Sequence, residues 1–529
     1  MARLSRRPRP GSRLGIILGA FALVAVLGVG QAPAPARALN TGEVRILAGA
    51  PQTFDPAAAG DVTTAAVTAQ LYETLTTYDA ARTLQPALAA SWDVASDGRR
   101  VVFHLRPGLT FSDGLPLTGA DVVGSWLRII DPQHPAPLAA LMIDVKGVRD
   151  HLTGLETDPA NVGISADGND VTVELERPGA DFPAIVSSPL FAVVPAGAWR
   201  DDKNVFVAGG AVSGGYVLAQ VTDTEITLER NEHYWAGPPA IGTVRLLLDI
   251  GGRSPVAAFE AGDLDYTQAS SIDAPWLPYD SNLGPQLRES PQLSLTYLGL
   301  TTNRPPFDDV RVRQAIGAAV DWNRVVTLGS FVGSIAAQSM VPIGIPGAGD
   351  QDWRPVHDPD LARKLLADAG YPGGVGLPTI RFASGSVPLA DGIAADLERE
   401  LGMHVEVESI DDHLTRLVED PPNLWITAWI ADYVGPNDFL GVLLESDSSN
   451  NYGHWVSDAF DAAIADALAT RDPAAAQAAY ERALAEVQQG VPVVPLSLGT
   501  DWALSRTGLL GAGSNGLGIL RMAGMAWAP

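Results

Sequence analysis

Apolar and polar residues alternate with a period of two in several short runs of the chain. In RRVVFHLRPG (99–108) the apolar face is Val101, Phe103 and Leu105, closed by Pro-Gly, and NDVTVELERPG (169–179) repeats the form with Val171, Val173 and Leu175. This alternation predicts half-buried β-strands. The runs 224–230, 243–250, 293–300, 404–410 and 491–499 predict strands on similar grounds. Leu424 to Ile430 (LWITAWI) is apolar at nearly every position, as a strand buried on both faces would be.

Helical stretches carry their own start and stop signals. HDPDLARKLLADAGYP opens with Asp358 as cap and Pro359 in the first helical position, and stops at Gly370 and Pro372. RDPAAAQAAYERALAEVQQG repeats the logic with Asp472, Pro473 and a stop at Gly490. Thr118, three residues before Asp121, predicts a capping box at the head of TGADVVGSWLRII. FDDVRVRQAIGAAVDWNRVV (307–326) predicts one amphipathic helix. Interleaved strands and helices point to an α/β protein. The 529 residues exceed the roughly 250–300 that one core serves, so two or three domains are expected. No long linker divides them, which predicts crossing connections between two lobes of a clam-shell.

The first 38 residues break this pattern. MARLSRRPRPGSR holds five Arg and no acid, Leu14 to Gly30 is uncharged, and Ala36 and Ala38 stand as A-x-A. That is the form of a secretory signal peptide, 1–38, cleaved after Ala38; an uncleaved anchor is the alternative. No later stretch approaches the ~20 apolar residues of a membrane helix, so an exported, periplasmic protein is expected. The chain has no Cys. Disulfides, Cys-held metals and lipid attachment at the export site are thereby excluded, so a lipoprotein is not expected.

Charge and motifs narrow the chemistry. The formal net charge is −26, and the leader removes six of the Arg. So acidic a protein, with no concentrated basic patch, is not expected to hold nucleic acid. None of the eight His falls in a metal-ligand spacing. No G-x-S-x-G elbow or phosphate-cradling loop occurs. SDG at 96–98 and at 112–114 reads as a turn. ESDSSNN (445–451) lacks the Gly and distal Glu of a calcium loop. No catalytic residue, metal site or cofactor is predicted, and an exported hydrolase is the remote alternative.

One carboxylate stands out. Asp432 follows the apolar strand of 424–430 and sits between Trp429 and Tyr433 in WIADYVGP. It has two readings: an anchor for a cationic group in a cleft that excludes water, or a cap on the turn DYVGP. His454, in NYGHW, is a weaker pocket candidate set against an ordinary loop His.

A family resemblance runs from about Ala48 to Gly511. Its motifs are TFDPAAA (53–59), LYETLTTYD (71–79), LQPALAASWDVASDGRRVVFHLRPGLTFSDGLPLTGADVVGSWLRIIDP (84–132), ERNEHYW (229–235), NRPPFDDVRVRQAIGAAVD (303–321), WIADYVGPNDFL (429–440) and NYGHWVSDAFDAAIADAL (451–468). In number, order and spacing they resemble the family 5 extracytoplasmic solute-binding proteins of ABC importers, the oligopeptide- and dipeptide-binding proteins. The resemblance implies a two-lobed periplasmic-binding-protein fold of class II type with an inserted small domain, three domains in all. One lobe would take 39–70, 209–295 and 500–529, the inserted domain 71–208, and the second lobe 296–499, with hinge strands near 295 and 500. In such relatives the Asp of W-x-A-D-Y holds the ligand's α-ammonium group. Asp432 falls on that position and Trp429 on a pocket tryptophan. Backbone at Ala428 to Ile430 would pair with a peptide as an added strand. Tyr433 and Trp425 are expected in packing more than in contact with ligand.

The resemblance also implies partners and leaves a gap. The expected partners are a peptide or related amino-bearing solute and an inner-membrane permease with its ATPase, and a monomer is the family's usual state. Peptide-binding relatives often carry a basic residue six positions before this Asp, where this chain has Ile426. An aromatic expected upstream gives way to SIDDHL (409–414). No Arg or Lys is assigned to a ligand carboxylate. A non-peptide solute such as an opine, chelated nickel or an oligosaccharide is therefore the alternative, and a signalling or chaperone role is not separable from transport.

Overall fold

The computed structural model describes residues 42–200, 205–329, 334–347, 349, 351–385, 387–409 and 413–529. The segment 1–38 and positions 410–412 of SIDDHL lie outside the described residues.

Ten strands form the spine of one mixed sheet. In chain order they are β1 (Glu43–Leu47), β2 (Tyr216–Val221), β3 (Glu225–Arg230), β4 (Thr243–Leu247), β5 (Tyr266–Ala269), β6 (Leu287–Leu300), β7 (Ile380–Ser384), β8 (Val405–Glu408), β9 (Leu424–Ile430) and β10 (Val493–Ser505). Their order across the sheet is β8-β7-β9-β6-β10-β5-β1-β4-β3-β2, and Ile335–Ala336 also pairs with β10. β6 and β10 are the long members, with 14 and 13 residues, and run antiparallel to each other. Their register shifts between Pro291 and Leu295. On one side of that break β10 meets β5, and on the other β6 meets β9.

A separate four-stranded antiparallel sheet is built from Ala89–Val94, Arg100–Leu105, Asp170–Glu174 and Ile164–Asp167. The alternation at 101, 103 and 105 works as the sequence predicts: Val101, Phe103 and Leu105 are all buried. They meet the helix Gly119–Ile129, whose Trp126 stands edge-on to Phe103 and to Phe191. Such aromatic pairs add to the area they bury. The predicted capping box is present, with Thr118 N–H and O–H donating to Asp121 Oδ2 at 2.9 and 2.8 Å.

One helix prediction needs correction. The stretch 307–326 is two helices, Val310–Ala319 and Trp322–Gly329. Val320 turns extended between them, and Asp321 Oδ1 accepts the Arg324 N–H at 3.0 Å, so an internal cap starts a second helix. The long helix Pro473–Gly490 begins on its Asp472 cap and ends at Gly490 as predicted, but Gly490 is not its left-handed cap. The left-handed residue is Val491, with φ +44°. Gly490 serves close approach: a Cβ there would lie 3.1 Å from the Trp455 ring.

Candidate functional site

Among the described residues, β9 ends with one of its edges open. It pairs with β6 from Leu424 through Ile430, but its pairing with β7 stops at Ile426 opposite Ser384. Ala431 N–H donates to Leu293 O at 2.8 Å. Backbone groups alternate in direction along a strand. Trp429 and Thr427 therefore turn theirs to β6, and Ala428 and Ile430 turn theirs to the side that β7 has left. Ala428 and Ile430 are also exposed.

Beyond this edge lies a cavity of about 190 Å³. Ile430, Ala431 and Asp432 form one wall. Facing them are Gly60, Asp61 and Val62 at the start of helix α1 (Val62–Leu71). Asp61 caps that helix, with Oδ1 accepting Thr64 N–H at 2.9 Å and Oδ2 accepting Thr64 O–H at 2.6 Å, which holds its carboxyl below the usual range. Further wall comes from Thr77 and Tyr78, from Leu138 and Ser188, and from the C-terminal residues Asn515 and Arg521.

Hydrogen bonds between distant segments hold these walls. Tyr78 O–H donates to Val434 O at 3.0 Å, which ties 76–78 to the turn after β9. Gln70 of α1 donates to Leu520 O at 2.8 Å and accepts Met522 N–H at 3.0 Å. That pair of bonds brackets Arg521 and presents it to the cavity.

Asp432 is half-buried, and its carboxylate has no hydrogen-bond partner among the described residues. Burial alone pushes its carboxyl up to about 6. Its backbone N–H donates to Asp438 Oδ2 at 3.1 Å, so the turn is closed by Asp438 and not by the Asp432 side chain. Asp438 is buried, and burial together with the nearby Asp432 charge pushes its carboxyl well above the usual range. Two carboxyls beside one another in a desolvated place do not both ionise freely. An added cation at Asp432 would relieve both.

The other candidates from the sequence lie differently. Trp429 is half-buried, packs on the core around β6 and β9, and donates its indole N–H to Asp438 Oδ2 at 3.2 Å. It is not part of the 190 Å³ lining. Tyr433 is buried, and its hydroxyl donates to Asp181 Oδ2 at 2.8 Å. Trp425 is buried, edge-on to Tyr297 and Tyr452. His454 is exposed in a turn, with φ +51°, and does not line the cavity. Sequence reasoning missed Gly60 to Val62, Thr77 and Arg521. Arg521 did leave a signal, as the one charged residue between 507 and 529. Among the described residues no cluster of His, Asp or Glu gathers as a metal site, and no helix is long and apolar enough to cross a membrane.

A model of the bacterial extracellular solute-binding proteins, family 5 (Middle), matches residues 83–451. The chain belongs to this family. Curated relatives match this chain over most of their length. The probable deoxycholate-binding periplasmic protein YgiS of Escherichia coli (strain K12) is 28% identical over 469 residues, covering 84% of this chain and 86% of the relative. The periplasmic oligopeptide-binding protein OppA of Salmonella typhimurium is 28% identical over 462 residues, covering 84% of each chain. Among solved structures, the murein tripeptide binding protein MppA of Escherichia coli superposes with a TM-score of 0.75 at 23% identity, over 93% of this chain and 99% of that one. The fold is thus the two-lobed α/β fold of periplasmic binding proteins, and the family is one of binding proteins. The matched segment contains Asp432; Gly60 to Val62 and Arg521 lie outside it.

Proposed function

We propose that this protein captures peptides in the periplasm and delivers them, by closure of its lobes, to an inner-membrane permease and its ATPase. It catalyses no reaction. The observation that carries this reading is Asp432: a half-buried carboxylate without a donor among the described residues, on the wall of a cavity, two residues past an open strand edge. A peptide's α-ammonium group supplies the missing donor, and a hydrogen bond to a charged group contributes about 1.5–3 kcal/mol. The open groups of Ala428 and Ile430 then pair with peptide backbone, which gives affinity without reading side chains. Trp429 acts as a wall behind this edge, while Tyr433 and His454 contribute packing and surface. The name of the OppA relative fits the same solute class.

The lobes would be divided as the family resemblance implies: 39–70, 209–295 and 500–529 in one, 296–499 in the other, and 71–208 as the inserted domain. With these boundaries each of the three lends residues to the cavity, through Val62, Asp432 and Ser188 respectively. β6 and β10 cross between the lobes, and the register break at Pro291–Leu295 is a natural place for bending. The mature chain, freed of 1–38 and carrying no lipid, would act as a periplasmic monomer.

The test is mass spectrometry of the material released when the mature protein, purified from its native periplasm, is denatured. Peptides of varied sequence and narrow length are expected. A single solute without an amino group would overturn the reading.

A further inference from the structure

Arg521 stands on the same cavity wall system as Asp432, with the opposite charge. Its Nη2 donates to Glu73 Oε1 at 2.8 Å and to Thr77 Oγ1 at 2.5 Å. Glu73 is buried, and its other oxygen accepts the Tyr234 hydroxyl at 2.6 Å. Burial works against the guanidinium charge, but Glu73 and Tyr234 outweigh it and hold Arg521 above its usual range. The group is therefore a fixed, permanent cation.

Neutralising Glu73 engages only one nitrogen of this guanidinium. Arg45, by comparison, has its whole fork engaged: Nε and Nη2 on the two oxygens of Asp265 at 3.0 and 2.8 Å, and Nη1 on Gly262 O at 2.7 Å. Arg521 spends a single nitrogen on Glu73 and Thr77. Its Nε and Nη1 have no partner among the described residues, and they are not among the buried polar atoms sealed away without one. They face accessible space, and the guanidinium fork is shaped to take a carboxylate.

We propose that Arg521 is a ligand-binding residue that takes a carboxylate of the solute, so that the cavity selects a short zwitterion with its ammonium group at Asp432 and an anion at Arg521. This rests on the Asp432 reading above and adds the solute's second charge. It also fills the gap left by Ile426, because the cation comes from the C-terminal segment and not from β9. The carboxylate can be the C-terminus of a short peptide or an acidic side chain, and the chemistry at Arg521 is shared.

The test is calorimetric titration of the ligand-stripped mature protein with alanine peptides of two to five residues. Each is used free, C-amidated and N-acetylated, together with a C-amidated set that begins with Glu. Amidation is expected to weaken the best-binding length at least tenfold in the native protein. In Arg521→Gln the free and amidated forms should bind alike, and Arg521→Lys should restore part of the difference. Recovery of binding by the Glu-containing amides would assign the anion to a side chain. The amidation comparison uses the unaltered protein, so it holds even where Arg521→Gln, which strands Glu73, folds poorly. Equal binding of free and amidated peptides, with the acetylated forms inactive, overturns the role of Arg521 and leaves the Asp432 reading standing. Equal binding of free and acetylated peptides, or no binding by any, overturns both.

Discussion

The indole N–H of Trp429 donates to Oδ2 of Asp438 at 3.2 Å. The same oxygen takes the backbone N–H of Asp432 at 3.1 Å, while Oδ1 is buried with no partner among the described residues. One buried carboxyl thus ties the end of β9 to the turn that carries Asp432. Asp438→Ala leaves two donors without an acceptor. It should lower unfolding free energy by about 1–3 kcal/mol and weaken ligand binding, because the Asp432 backbone is no longer held. Asp438→Asn keeps an oxygen for both donors and removes the like charge, so its stability should lie within about 1 kcal/mol of the native protein. Chemical denaturation of both variants checks this, and equal losses would argue against the tether.

The Asp432 carboxyl gives the protein a pH signature. Its folded value of about 6 lies above the ordinary 3.8. Between those values the folded protein keeps a proton that the unfolded chain has released. The group therefore favours folding at low pH and works against it as pH rises through about 6. Asp432→Asn should stabilise the ligand-free protein by roughly 1–3 kcal/mol near pH 8 and by little near pH 4. Binding has the opposite dependence, since an ammonium group needs the ionised carboxylate. Affinity should fall as pH drops below about 6, by up to about tenfold per unit. Thermal melts and titrations across that range read both effects, and an affinity that stays flat would contradict the pairing.

Gly299 lies opposite Trp425 in the β6–β9 register, and a Cβ there would sit 2.0 Å from the indole ring. The ring has little room to yield, with Tyr297 and Tyr452 set against it at centroid distances of 5.7 and 6.0 Å. Gly299→Ala should cost about 1–3 kcal/mol by overpacking. Adding Trp425→Leu should recover part of that loss in the same denaturation measurement.

Local pattern made some of this legible in the sequence. Leu424 to Ile430 is a strand because every position but Thr427 is apolar, and Asp432 stands out because a lone acid follows that run. The capping residues Thr118, Asp358 and Asp472 announce helices because their bonds close within three residues. What was not legible depends on distant partners. Gly490 reads only as a helix stop, and its close approach to Trp455 is not visible in the sequence. Asp321 reads as part of one amphipathic helix until its cap on Arg324 divides that helix in two. Arg521 and Glu73 are 448 residues apart, and no periodicity reports such a pair.

The central claim is that Asp432 holds a peptide's ammonium group beside the open edge of β9. The most direct measurement is calorimetric titration of the ligand-stripped protein with one peptide identified from the native material and with its N-acetylated twin. The two differ only in the charge that Asp432 would meet. Breaking a buried charge pair costs about 2–5 kcal/mol, so the acetylated peptide should bind at least about thirtyfold more weakly, and Asp432→Ala should bind both alike. Equal affinities of the two peptides for the native protein would contradict the account.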